Sequence, residues 1–519
     1  MVWEPELEAM AQRERLAAQM GGEEHVARQH ASGRLTVRER LATFLDAGSF
    51  VELGGLAGKA TYDADGELTA FQASNVLTGH GLVQGRPVIV AADDFTVRGG
   101  AADAAIHHKQ VHAEALAGQR REPLIRLVDG TGGGGSIKQL EELGATYVPF
   151  NPGWDEVIAN LSRVPVVGCV LGPVAGLGAA RAVTSHYSVM VRGTSQLFAA
   201  GPPVVEWAFG REVSKEALGG ADLHAAGSGA VDDAVDSEEE LFDRVRRFLS
   251  YLPSSAWELP PVTAADDDPD RADAELRALI PRDRRRPHDP RRLLALVFDR
   301  DSVLELTRDV GASTITALAR LDGHPVAVIT EDPAVLGGGM TADAARKLER
   351  FVDLADTFHL PIVRLVDQPG FVVGVDAERA GTIRAGARAL AAVYQASVPQ
   401  FTVVVRRMFG VAGAGHSAHH RPQERVAWPS ADWGSLPLEG GIEAAYRREL
   451  AAAEDPAALR AEITSQMEAI RSPLRTAESF GIERMIDPAE TRPILTGWVR
   501  TAYRVLGHDV GPSSFGRRP

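Results

Sequence analysis

The chain repeats itself, and the repeat fixes what it can fold into. Arg38, Asp46, Ser49, Glu52 and Leu53 return as Arg291, Asp299, Ser302, Glu305 and Leu306, each 253 positions later. A second register follows. Gly85 to Asp94 is echoed by Gly323 to Asp332, Gly99-Gly100 by Gly337-Gly338, Lys109 by Lys347, and Leu124 to Asp129 by Ile362 to Asp367, all at a spacing of 238. Chance similarity does not hold one register across four separate motifs, so the two halves are copies of one fold. At 519 residues the chain is too long for a single core. The division expected is an N-terminal domain over 1–255 and a C-terminal domain over 256–519.

Within each half the pattern alternates strand and helix. In the first, strands are expected at Pro87–Ala92, Pro123–Val128 and Val164–Leu171, and helices at Ala102–Leu116, near Ser136–Leu143 and near Asp155–Leu161. Residues 4–32 read as a surface helix, and 34–53 as an amphipathic helix, a turn and a short strand. Strands alternating with helices define an α/β fold with a largely parallel sheet. Sites on such sheets form at the carboxyl ends of strands. Glycine loops at 130–135, 172–178 and 410–415 follow strands, so they fall where a site is expected. Between the halves, Pro260-Pro261 and the acidic run Ala264–Arg271 read as a solvated connector, and Arg282–Pro287 as a solvated basic face with a phosphate site as the sharper alternative.

A net charge of -15 argues against general nucleic-acid binding. The one cysteine, Cys169, lies in an apolar strand and reads as a core residue, with no disulfide framework and no cysteine-based zinc site. The first residues lack a basic-then-apolar leader pattern, and no apolar run reaches membrane-spanning length. The expectation is a cytoplasmic protein.

Gly172 to Ala179 follows the apolar strand. If a helix starts there, its first amides point outward with the positive end of the helix dipole, which is the makeup of an oxyanion hole. Close packing of strand on helix is the plain alternative. Gly410 to Gly413 is a partial echo, and the sequence pairs Val174-Ala175-Gly176 with Val411-Ala412-Gly413. His416, His419 and His420 have spacing that suits a metal, but no carboxylate or cysteine completes a set, so no metal is expected. Trp428 and Trp433 fit either a pocket wall or core packing.

Taken together, Arg34–Leu53, Gly79 through Gly100, the Gly130–Ser136 loop, Met190–Pro203, Lys215–Gly220, Val366–Phe371 and Ala427–Ser430 are specific as a set. From about residue 30 onward the chain resembles the carboxyltransferase (beta) subunits of biotin-dependent acyl-CoA carboxylases, within the crotonase-like superfamily. The resemblance implies a tandem duplication of a crotonase-like (ClpP/crotonase) fold. It implies an N-half that holds an acyl-CoA thioester and a C-half that receives biotin as carboxybiotin. The site would lie between the N-half of one subunit and the C-half of another, in a homo-oligomer, a hexamer. Thioester enolisation and loss of CO₂ from carboxybiotin each leave charge on an oxygen, so two oxyanion holes are needed.

By resemblance these are the amides of Gly176 and Leu177 and those of Val411 and Ala412, with Gly413 and Ala414 as alternates. Ligand contacts carried over are Lys109, Lys347, Gly133, Gly134, Gly370 and Phe371, with Ala414 lining the acyl pocket. A small apolar Ala414 implies an acyl group longer than acetyl. The chain departs from the family in having Leu177 and Val411 where glycines are usual, and no arginine in Gly132–Gly135. No lysine sits between methionines as a biotin attachment site would, and no ATP-grasp-like segment is present. The implied partner is therefore a separate alpha chain carrying biotin carboxylase and biotin carrier domains. A biotin-independent acyl-CoA decarboxylase of the same fold and a non-catalytic acyl-CoA-binding scaffold are the alternatives.

Overall fold

The computed structural model describes residues 2–101, 104–130, 144–146, 148, 150–417 and 424–513. Two compact units divide the chain, one over Met1–Trp257 and one over Glu258–Phe515. In the first, helix α1 (Val37–Phe44) leads to strand β1 (Val51–Leu53), then β2 (Val76–Val83) and β3 (Arg86–Asp93), helix α2 (His107–Arg120), β4 (Leu124–Val128), β5 (Val166–Val170), helix α3 (Leu177–Val183), β6 (Tyr187–Val191) and β7 (Asp233–Val235). The seven strands lie in numerical order in one sheet. The second unit follows the same plan: α4 (Pro290–Val297), β8 (Leu304–Leu306), β9 (Thr314–Leu321), β10 (His324–Glu331), α5 (Ala342–Thr357), β11 (Ile362–Gln368), β12 (Gln400–Phe409), α6 (Gly410–Ala414) and β13 (Glu424–Ala427).

Only part of each sheet is parallel. The first three strands of each unit form an antiparallel meander, and the rest run parallel. The cause is a two-residue turn. Gln84 and Gly85 have φ of 51° and 78°, and Asp322 and Gly323 have 50° and 75°. Two successive positive φ values make the turn that matches the twist of paired strands.

The recurring residues now acquire a reason. Asp46 accepts from the turn amides of Gln84 and Gly85 at 2.9 and 2.7 Å, and Asp299 from those of Asp322 and Gly323 at 3.0 and 2.8 Å. Ser49 Oγ accepts from the Leu82 amide, Ser302 Oγ from that of Arg320. Arg38 pairs with Glu52 at 3.1 Å and Arg291 with Glu305 at 2.8 Å. The repeated residues form a clamp that ties the helix and first strand of each unit to its hairpin.

Three expectations change. The helix expected from Ala102 begins at His107, because the Asn75 side chain takes the Ala101 carbonyl at 2.7 Å and the Asn75 amide takes that of Ala104 at 3.2 Å. The acidic connector is not wholly solvated. Asp267 is buried, held by Arg271 at 3.0 Å, with Arg492 at 3.7 Å. The surface helix of residues 4–32 is two helices, Glu4–Ala18 and Glu23–Ala31, broken at Gly21-Gly22. The helix expected near Ser136–Leu143 lies outside the described residues. Cys169 is fully buried in β5, and burial pushes its thiol pKa upward, as for an inert core residue.

Candidate functional site

Each unit carries a strand-to-helix turn led by a glycine with φ near 60°. In the first unit, Pro173–Ala175 pairs in parallel with Gln196–Phe198 before α3 begins. Gly176 caps that helix at φ 62°, ψ -125°, a conformation only glycine adopts without strain. Gly172 is needed for a different reason: a Cβ there would lie 1.9 Å from Asp129 Oδ1. In the second unit α6 follows β12 directly, and its first residue, Gly410, has φ 61°.

Strand register decides which residues correspond. Leu124 pairs with Val166, and Ile362 with Gln400. The spacing between Val166 and Gln400, 234, carries Gly176 onto Gly410, Leu177 onto Val411 and Gly178 onto Ala412. The sequence pairing of Val174-Ala175-Gly176 with Val411-Ala412-Gly413 differs from this register by three residues. The Gly176 amide donates to the Phe198 carbonyl at 3.2 Å. Those of Leu177 and Gly178, like those of Val411 and Ala412, have no backbone acceptor among the described residues. Val411 is exposed and Ala412 buried, while Gly413 packs so closely that a Cβ would sit 2.7 Å from the Met408 carbonyl carbon.

A buried aspartate stands at the end of the central strand in both units. Asp129 is held by Arg34 at 2.9 Å, Arg40 at 2.7 Å and the Gln29 amide at 3.2 Å. Arg40 reaches on to Glu238 and to the Leu171 carbonyl at 2.9 Å. Burial lowers the Arg40 pKa, but the Asp129 and Glu238 charges outweigh it and the net shift is upward. Asp367 is held instead by Arg407, with His288 at 3.6 Å and Arg406 at 4.0 Å. The aspartate recurs, but its cations come from different elements.

The units diverge behind these turns. In the first, Arg126 makes a two-pronged contact with Glu114, 2.9 Å on each arm, and a cavity of ≈ 50 Å³ remains between Asp93, His107, Arg181, Leu177 and Gly178. In the second, Val352 stands where Glu114 would be, and Arg364 meets Gln400. There the fully buried His416 Nε2 lies 3.2 Å from Glu331 Oε1. Burial pushes the Glu331 carboxyl up to about 8 and the His416 imidazole down to about 3, so both are neutral near pH 7.

The native carboxyl thus keeps a proton that the unfolded chain releases above pH ~4.5. Its contribution to stability falls from there to about pH 8 and then levels. Glu331→Gln cannot titrate, so its stability relative to wild type should rise between pH 5 and pH 8.5 in urea unfolding. A constant difference would contradict the assignment. His416 is a buried neutral side chain beside the Glu331 carboxyl; His419 and His420 lie outside the described residues.

The remaining predicted residues are scattered. Lys347 is buried, with Nζ donating to the Val310 carbonyl at 3.2 Å. Lys109 is buried against Gly54, and burial lowers its ammonium pKa. The Gly370 carbonyl accepts from the Met340 amide, and the Phe371 ring packs on Gly386. Ala414 is exposed at the end of α6. Gly133 and Gly134 lie outside the described residues. Trp428 is core, its Nε1 donating to Thr491, and Trp433 donates to Thr476. Exposed Arg282, Arg284 and Arg285 line a cleft of ≈ 1010 Å³ in the second unit. Arg181, Glu114 and Glu331 went unnoticed in the sequence; the signal available was an ionisable residue inside an otherwise apolar segment.

A twofold α/β fold with paired glycine-led turns at strand ends defines a class, and comparison identifies it. A family model described as the carboxyl transferase domain matches residues 28–501. The chain belongs to this family, the carboxyltransferase subunits of acyl-CoA carboxylases, and its fold is the tandem crotonase-like one. The propionyl-CoA carboxylase carboxyltransferase subunit of Haloferax mediterranei is 34% identical over 499 residues, 95% of each chain. The methylmalonyl-CoA decarboxylase subunit alpha of Veillonella parvula is 32% identical over 474 residues, 91% of each. The crystal structure of the transcarboxylase 12S hexamer, with methylmalonyl-CoA and methylmalonic acid bound, is 30% identical. It covers 96% of this chain and 95% of its own, with a TM-score of 0.86.

Proposed function

We propose that this enzyme moves a carboxyl group between carboxybiotin and the α-carbon of an acyl-CoA thioester. The observation that carries the reading is the pair of equivalent turns at Gly176 and Gly410, each presenting amides without backbone acceptors at a strand end. Biotin, on the carrier domain of a separate alpha chain, supplies the activated carboxyl group. The first unit stabilises charge on the thioester oxygen through the Leu177 amide, with Gly178 beside it and Gly176 setting the turn. The second presents Val411 and Ala412, with Gly413 packing beneath them, to the biotin ureido oxygen. These donors are fixed before reaction, so they gain strength as charge develops without reorganising. The exposed position of Val411 suits a ligand delivered from another chain. Lys109, Lys347, Gly133, Gly134, Gly370, Phe371 and Ala414 are proposed contacts to coenzyme A or biotin.

The relatives' named substrates, propionyl-CoA and methylmalonyl-CoA, support a short acyl group. We read the assembly as a hexamer, the location as cytoplasmic and the domains as 1–255 and 256–519. Among the described residues no helix is long and apolar enough to cross a membrane. A decarboxylase is the second reading, favoured by the likeness to a methylmalonyl-CoA decarboxylase subunit. The test is incorporation of ¹⁴C-bicarbonate into acyl-CoA, with ATP, in the presence and absence of a biotinylated alpha partner. Partner-dependent incorporation is expected. Release of CO₂ from methylmalonyl-CoA by the chain alone would overturn the biotin-dependent reading.

A further inference from the structure

The cavity in the first unit is built unlike a pocket for an alkyl chain. Its walls carry Asp93, His107, Glu114, Arg126 and Arg181, close to Leu177. At ≈ 50 Å³ it has room for roughly three water-sized groups, the size of a carboxylate. Its charges are unevenly paired. Glu114 receives both arms of Arg126 at 2.9 Å and the Asn160 amide at 3.3 Å, so its oxygens are already engaged. Arg181, 9% exposed, comes no nearer to Glu114 than 3.9 Å, and its Nε has no hydrogen-bond partner among the described residues.

A buried guanidinium N–H without an acceptor is costly, and two cations share one strong anion. The other acid on the cavity is Asp93, which accepts from the Asp129 amide at 3.3 Å. Burial pushes its carboxyl up to about 7, so near neutral pH it sets only part of a charge against Arg181. A planar anion entering the cavity would supply what Arg181 lacks.

We infer that this cavity binds a carboxylate carried on the acyl group of the CoA ester, with Arg181 as its principal recognition residue. The inference rests on the acyl-CoA reading above and narrows it to carboxylate-bearing acyl groups. Such a carboxylate has two possible sources: the group being transferred, as in methylmalonyl-CoA, or one already present on the acceptor, as in succinyl-CoA.

Direct binding to the full chain decides it, because binding needs no biotin partner. Thermal-shift titrations with butyryl-CoA, methylmalonyl-CoA and succinyl-CoA are compared in wild type, Arg181→Met and Arg181→Lys. At least one carboxylated ester should bind roughly ten- to a hundredfold more tightly than butyryl-CoA. Preference for methylmalonyl-CoA alone assigns the cavity to the transferred group, and preference for succinyl-CoA to the acceptor's own carboxylate. Arg181→Met should bring the three esters within about threefold of one another, and Arg181→Lys should restore part of the preference. Arg181→Met leaves Glu114 bonded to Arg126 and Asn160, so no buried carboxylate is orphaned. Equal affinity of wild type for all three esters, or an unchanged preference in Arg181→Met, overturns the inference and leaves the acyl-CoA reading standing. No shift with any of the esters overturns both.

Discussion

Leu177→Pro should lower kcat for carboxyl transfer roughly 10²–10³-fold, a loss of about 2.7–4 kcal/mol in transition-state stabilisation, and should leave the fold intact. The position makes this a clean deletion of one donor. Leu177 is the first residue of α3, where proline's fixed φ suits the helix and its missing N–H breaks no helical bond. The Leu177 amide has no backbone acceptor to lose. Gly176→Pro is not an equivalent test. The Gly176 amide already bonds Phe198, and φ 62° is closed to proline, so that variant breaks the turn itself. The measurement is kcat and KM for acyl-CoA carboxylation, with unfolding midpoints alongside. A Leu177→Pro enzyme with native stability and near-wild-type kcat would show that thioester charge is not held there.

The difference between those two variants shows what the sequence revealed and what it hid. The duplication was legible because its clamp is written in side chains: Asp46 and Asp299 each bind two turn amides, and those bonds need an acceptor at that spacing. The correspondence between the two turns was legible only to within a few positions. The connection from β4 to β5 is four residues longer than that from β11 to β12, and a Val-Ala-Gly match in the loops outweighed a strand register that only pairing reveals. The two fixed glycines, Gly176 and Gly410, share a φ that no residue-by-residue comparison sees. The cavity around Arg181 was hidden for another reason. Its walls come from β3, α2, β4 and α3, and in sequence Arg181 is one cation in an apolar helix. The late start of α2 was equally unreadable, because a single side chain, Asn75, captures the carbonyl of Ala101.

The largest effect on stability is expected from Arg40→Met, at about 3–5 kcal/mol in the first unit. Arg40 is 1% exposed and spends all three guanidinium nitrogens: one on Asp129, two on Glu238, one of these also on the Leu171 carbonyl. Methionine fills most of the volume, so the loss is electrostatic and not a cavity. Asp129 would keep Arg34, but Glu238, 5% exposed, would lose both of its bonds to Arg40 and remain as a buried charge. Arg34→Met should cost less, because Arg34 contacts Asp129 through a single nitrogen and Arg40 would still neutralise that aspartate. Adding Glu238→Gln to Arg40→Met should recover part of the loss, since it removes the uncompensated charge. The consequence reaches the Gly176 turn through Leu171, whose carbonyl Arg40 holds one residue before Gly172 and five before Gly176. Hydrogen exchange by mass spectrometry, which reads the two units separately, should show protection falling across β4, β5 and α3, with the second unit unchanged. If Arg40→Met proves as stable as Arg34→Met, the Asp129–Arg40–Glu238 network is not what holds the end of β5 in place.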